Sequence, residues 1–190
     1  MEGAPGLPPG KKADILYSKT DISRAVRRLA SEIVEDSRGA ENLVLLGIRV
    51  RGDVLADRIA REIQKLEDVE VPVGYLDITM YRDDVGTRND QPEVHKTDIL
   101  FSIDDKTVVL VDDVLWTGRT IRAALAAILD LGRSRMIRLA ILCDRGGREL
   151  PIRPDYVGFE VAARPHELVK VRLKENDGEE SVTVLPGKAS

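Results

Sequence analysis

The chain has 190 residues, 43% hydrophobic and 33% charged, with a formal net charge of −4. These values suit one globular domain with an apolar core and exclude a disordered chain, a collagen-like repeat and a disulfide-stapled miniature. Cys143 is the single cysteine, so no intramolecular disulfide or cysteine-built metal site forms, and the usage fits a reducing cytoplasm.

Residues 1–17 carry Gly and Pro but no apolar signal-peptide core, and they read as a mobile arm. Ser18 followed by Asp21 resembles a capping box, and Ile22, Val26, Leu29, Ile33 and Val34 then mark one helical stripe that stops at Gly39. Arg24, Arg27 and Arg28 cluster on this helix. On charge pattern alone a solvated face is the better reading of them. Leu43–Ile48 is a continuous apolar run, the pattern of a strand buried on both faces. Arg51-Gly52-Asp53 turns the chain into a second helix with stripe Leu55, Ile59, Ile63 and Leu66. Val71–Ile78 is strand-like. From Arg82 to about Ile99 no apolar period persists, which in a compact domain marks a functional or disordered segment. Val108–Val111 is the next buried strand, followed by a helix with stripe Ile121, Leu125, Ile128 and Leu129 that ends at Gly132. Leu139–Cys143, Tyr156–Val161, Val169–Leu173 and Val182–Leu185 complete the strands, and Pro186–Ser190 reads as a loose tail. The alternation predicts an α/β fold, a central mostly parallel sheet with helices on both faces, in one domain over residues 18–185. No run is long enough to span a bilayer, so no membrane is expected as a partner.

Ligands of such sheets bind beyond the carboxyl ends of the strands. Here Val108–Val111 delivers Asp112-Asp113, then Val114-Leu115-Trp116, then Thr117-Gly118-Arg119-Thr120 at a helix start. Unpaired amides at a helix start favour phosphate, Gly118 permits close approach, and the threonines add hydroxyl donors. Adjacent carboxylates suit sugar hydroxyls or metal-bound water. An ATPase would need a Gly-rich loop ending Gly-Lys-Ser/Thr, and a dinucleotide fold a Gly-x-Gly; the chain has neither. A purely structural helix cap by Asp113 and Thr117 is the remaining local alternative.

The run from Val108 to Thr120 resembles the phosphoribosyl diphosphate (PRPP) signature of type I phosphoribosyltransferases. With Asp77–Asp84 and Asp144–Arg153, the chain further resembles the bacterial pyrimidine-operon attenuator family, over roughly residues 18–184. That family couples uracil phosphoribosyltransferase activity to binding of the operon's leader RNA. The resemblance implies the type I phosphoribosyltransferase fold, with a small hood beside the sheet. It implies that Asp112 and Asp113 hold the ribose hydroxyls, and that Leu115, Trp116, Thr117, Gly118, Arg119 and Thr120 hold the 5-phosphate. Val50-Arg51-Gly52 matches the diphosphate loop, where such proteins often carry a cis peptide; without the family an ordinary tight turn is the better reading. Arg51 and Arg82 join the two acids as catalytic candidates, and the stretch from Arg82 to about Lys96 matches a loop that closes over the transition state. Asp144, Arg145 and Gly146 fall in the base pocket. Mg²⁺ is expected through PRPP and water rather than in a protein cage. Uracil, PRPP and UMP are the expected small-molecule partners, leader RNA the macromolecular one, and a homodimer or homotetramer the expected assembly.

Purine-specific relatives often place an acid at the position of Trp116, whose indole only donates, so Trp116 leans toward a pyrimidine; packing beside the phosphate loop is its other reading. The RNA-contacting candidates are Arg24, Arg27, Arg28, Arg148 and Arg153. This face departs from the family at Arg27 and Ser31, at Gly147 where a His is usual, and at Ala162-Ala163-Arg164 where Pro-Thr-Ser is usual. Lost hydroxyl and imidazole groups remove hydrogen bonds to bases. His95 and His166 read as surface residues, and Glu149 and Arg153 either support the base pocket or pair within a turn. The sequence thus points to uracil and PRPP giving UMP and diphosphate, with UMP-responsive RNA binding. The alternatives are a nucleotide- and RNA-binding regulator with little turnover, or a phosphoribosyltransferase for another base.

Overall fold

The computed structural model describes residues 15–81 and 97–187. Five parallel strands form the central sheet: β2 (Leu43–Ile48), β3 (Val73–Leu76), β4 (Thr107–Leu115), β5 (Met136–Asp144) and β6 (Tyr156–Glu160), in the order β3-β2-β4-β5-β6. Every residue of β2 is buried, as its unbroken apolar run requires. Helices α1 (Lys19–Ser37) and α2 (Gly52–Glu67) share one core with one sheet face, and α3 (Arg119–Leu131) packs with Ile103 in a second core on the other face. Full burial of a side chain such as Leu46 or Ile63 contributes about 1.5–3 kcal/mol relative to exposure.

Strands β1 (Ile15–Ser18), β7 (Glu167–Arg172) and β8 (Ser181–Pro186) form a separate antiparallel sheet, ordered β1-β8-β7, with the short α4 (Lys174–Asp177) between β7 and β8. This is the expected hood, and Val169, Val171, Leu173 and Val182 join it to the α1–α2 core.

Ser18 and Asp21 make the capping box: the Ser18 side chain accepts from the Asp21 N–H, and the Asp21 side chain accepts from the Ser18 N–H. The expected ends of the domain move outward. Ile15–Tyr17 belong to β1 rather than to an arm, and the Tyr17 ring stacks on Phe159 with centroids 3.8 Å apart. Pro186 closes β8 opposite Glu167 instead of opening a tail. The second expected strand, Val71–Ile78, shortens to Val73–Leu76. The stripe of α3 also differs. Leu129 is 72% exposed, while Ala123, Ala124 and Ala127 face the core with Ile121 and Ile128. A helix apolar nearly all round has no unique stripe in its sequence, and the small residues let it lie close to the sheet.

Candidate active site

Chain order reverses between β2 and β4, so the loops that follow these two strands flank the switch point where open α/β sheets bind ligands. The loop after β2 is drawn tightly onto the sheet. A Cβ on Gly52 would meet the Val111 carbonyl oxygen at 2.5 Å, and one on Gly47 would meet the Asp53 Cα at 2.5 Å. The Arg49–Val50 peptide is cis, and Arg51 stands at φ 76° as the N-cap of α2. The Arg51 guanidinium forks onto Asp177 of the hood, Nη2 to Oδ1 at 2.7 Å and Nε to Oδ2 at 3.1 Å. Donation from Arg51 holds the Asp177 carboxyl below the usual carboxylate range.

Strand β4 does not stop at Val111 but runs through both acids to Leu115. Successive strand residues face opposite sides. Val109 and Val111 face the α2 side and Val108 and Leu110 the α3 side, but Val114 returns to the α2 side and Leu115 to the α3 side. The alternation thus breaks at the two acids, of which Asp113 lines the cleft and Asp112 is buried. Asp112 Oδ1 accepts the Asp113 N–H at 2.9 Å. Burial pushes the Asp113 carboxyl up to about 6, and the nearby positive charge of Arg51 offsets part of that rise.

Beyond β4, Gly118 caps α3 with φ 93° and no side-chain hydrogen bond, and the first turn of α3 contains no acid. Thr117 Oγ1 accepts the Arg119 N–H at 3.3 Å, so the open amides of this start are those beyond Arg119. The loop is braced from beneath: the Glu149 and Leu150 N–H groups both donate to the Thr117 carbonyl, and Arg119 pairs with Glu149 at 2.7 Å. Glu149 thus pairs within the turn while also lining the cleft.

A cleft of about 470 Å³ lies over this loop, lined by Asp113, Trp116, Thr117, Arg119, Arg145 and, from the hood, Leu168 among others. Arg145 is only 7% exposed; its guanidinium lies 4.3 Å over the Trp116 ring and donates to the Glu167 and Arg164 carbonyls. Burial lowers its pKa. Trp116 also abuts Gly147, where a Cβ would meet the indole Nε1 at 2.9 Å. A larger residue at 147 requires the ring to move, so Trp116 and Gly147 fit as a pair. Asp144 accepts from the Gly146 N–H and from Arg148, so of the three base-pocket candidates Arg145 alone lines the cleft.

The five arginines read as an RNA face are not brought together. Arg28 donates to the Val157 and Gly158 carbonyls, and Arg27 lies 3.7 Å from Glu62. Arg148 is a loop clasp, donating to the Ile152 and Trp116 carbonyls and to Asp144, which removes it from the RNA candidates. Arg153 is exposed beside Ile152, which packs on the α3 side, whereas exposed Arg24 rides on α1 on the opposite side. His166 is exposed. Arg82, His95 and the proposed closing loop lie outside the described residues.

Sequence reading missed Asp177, whose partner Arg51 is 126 positions away. It also missed Gly47, for which a signal existed: an isolated Gly inside a buried strand marks close backbone approach. Among the described residues no three His, Cys, Asp or Glu gather for a metal ion. Asp113 at the cleft edge instead matches the donor set of Mg²⁺, which takes one or two carboxylates and completes its shell with ligand phosphates and water.

Residues 12–176 match the phosphoribosyl transferase domain family. The chain is 57% identical over 175 residues to the bifunctional protein PyrR of Pelotomaculum thermopropionicum, covering 92% of this chain and 96% of that one. It is 54% identical over 174 residues to the bifunctional protein PyrR of Deinococcus radiodurans, covering 92% and 94%. Among solved structures, the hypoxanthine phosphoribosyltransferase of Trypanosoma cruzi superposes with a TM-score of 0.70 at 20% identity over 92% of this chain and 97% of that one. The hypoxanthine-guanine enzyme of Bacillus anthracis gives 0.69 at 22% identity over 90% and 98%. At these identities the two enzymes share the fold.

Proposed function

Because the chain belongs to the phosphoribosyl transferase domain family, we propose that it transfers the phosphoribosyl group of PRPP to uracil and that it also regulates through RNA. The observation that carries the reading is the acid-free start of α3 with half-buried Asp113 at the edge of the same cleft. In the reaction the bond from the anomeric carbon to the diphosphate oxygen breaks and a bond to uracil N1 forms. The N1 proton passes to solvent or to diphosphate.

The amides of Thr120 and Ile121 and the Thr117 and Thr120 hydroxyls bind the 5-phosphate. Asp113, with Asp112 behind it, orients the ribose hydroxyls. Arg51 and the tightly packed Gly52 backbone receive the leaving diphosphate, where charge grows as the bond breaks. Asp113 would hold Mg²⁺ through water, and the ion would neutralise charge on the leaving group. Trp116 and Arg145 wall the base side. No acid stands at the Trp116 position, which favours a pyrimidine over a purine. Uracil N1–H is acidic enough that a dedicated base is not required.

The regulatory half rests on the name of the relatives, bifunctional protein PyrR, and on exposed Arg24 and Arg27 of α1. The RNA is a pyrimidine-operon leader and UMP is the signal. We place self-association on the outer side of α3, where Leu129 is 72% and Met80 80% exposed, with Tyr81 bonded to Asp130 between them. Sedimentation of wild type against Leu129→Glu tests that face, with dissociation expected.

UMP formation from uracil and labelled PRPP tests the enzyme, with hypoxanthine, guanine and orotate run in parallel. Turnover of uracil alone is expected; turnover of a purine would move the chain to another base. Leader-RNA binding that strengthens with UMP and weakens steeply with salt supports the regulator. RNA binding without turnover would leave a regulator that has lost the reaction.

A further inference from the structure

Arg51, at φ 76°, sits in a backbone conformation that a non-glycine residue keeps only where its surroundings hold it. What holds its side chain is not in its own loop. Asp177, at the end of α4 in the hood, takes the Nε and Nη2 edge of the guanidinium in a two-point fork, so the Nη1 edge faces away from Asp177. Asp177 is itself fixed: its Oδ2 also accepts the N–H of fully buried Leu173 at 2.9 Å. Both side chains of the pair are about three-quarters or more buried, so solvent screens the fork little. Two turns along α2, Arg58 makes a second clamp on the same part of the hood, to Glu175 and Glu180. Two arginines of one helix thus grip one hood turn, but only the first belongs to the loop that faces the diphosphate.

We propose that Asp177 is a positioning residue for phosphoribosyl transfer: it holds the Arg51 guanidinium in the orientation that meets the leaving diphosphate, so the hood sets the geometry of the diphosphate loop. The inference rests on the transfer reaction proposed above. A planar guanidinium held along one edge keeps its donors in a fixed plane. A diphosphate arriving at the loop then finds a donor already ordered, which lowers the entropy lost on binding. Uracil, on the Trp116 side, does not depend on this fork. The Arg58 clamp fastens the hood without touching the loop's cation.

Asp177→Asn tests this, because Asn keeps an acceptor oxygen for the Leu173 N–H while removing the charge. KM for PRPP should rise about tenfold, the scale of one charged hydrogen bond, while KM for uracil stays within about twofold. Glu175→Gln, which relaxes only the second clamp, should leave KM for PRPP within about twofold. In an Arg51→Lys background the Asp177 change should add less than about twofold, since the two residues act as one unit. An unaltered KM for PRPP in Asp177→Asn overturns the inference. So does a parallel rise of both KM values in Asp177→Asn and Glu175→Gln, or full additivity with Arg51→Lys. Wild type that fails to convert uracil removes the reaction and this inference with it. Wild type that turns over beside an unaffected Asp177→Asn removes the inference alone.

Discussion

Helices α1 and α3 both begin with amides that have no partner inside the helix, and the chain treats the two starts in opposite ways. At α1, Ser18 and Asp21 satisfy each other's N–H groups and place an acid in the first turn. At α3, Gly118 offers no side chain, and no acid enters the first turn. The first arrangement spends its hydrogen bonds on stability. The second leaves positive potential open to a cleft. An acid-free helix start, capped only by the Thr117 hydroxyl at Arg119 and held by Glu149, Leu150 and Ile152 from a neighbouring loop, is built to receive an anion rather than to hold the helix.

The comparison can be broken most severely at the acid beside the α3 start. Asp113→Asn should lower kcat/KM for PRPP by about 1.5–3 kcal/mol, roughly 10- to 150-fold. Thermal stability should hold or rise, because the variant no longer carries a buried charge. Steady-state kinetics with a melting curve check both. Thr120→Asp gives α3 the acid that α1 has. Helix stability should gain about 0.3–1 kcal/mol, while PRPP binding weakens about tenfold or more through repulsion of the phosphate; calorimetry reads the binding.

The pH response sharpens the same point. Asp113 titrates at about 6 in the folded chain, above its ordinary value, because burial disfavours the charged form. The folded state therefore binds this proton more tightly than the unfolded state. Asp113 costs stability above about pH 6, and that cost is relieved as pH falls through 6 toward the ordinary carboxylate value. Binding of the ribose hydroxyls needs the ionised form, so kcat/KM for PRPP should fall about tenfold per pH unit below 6. That acid limb should vanish in Asp113→Asn. The smallest effect on activity belongs to Ser18→Ala, which should cost about 0.5–2 kcal/mol of stability and leave kcat/KM for PRPP unchanged.

Strand β2 and the α1 cap were legible because local preference and final burial agree: five apolar residues and Gly47 all became buried, and Ser18 met Asp21. The α3 loop was legible as a phosphate socket because its residues are consecutive. What could not be read depends on distance or on geometry between elements. Asp177 reaches Arg51 only after the hood folds back across the sheet. Arg148 looked like an exposed cation, yet carbonyls of its own loop and of Trp116 consume it. Leu129 looked like core because apolarity alone does not say which side of an apolar helix the sheet will take. The acids at 112 and 113 read as a side-by-side pair, whereas of the two only Asp113 lines the cleft.

The most direct test of the α3 start as the anion socket is a crystal structure of the protein with UMP. The account predicts the 5-phosphate within hydrogen-bond distance of the Thr120 and Ile121 amides, with the ribose beside Asp113. A phosphate bound elsewhere, with the first turn of α3 facing only solvent, would contradict it.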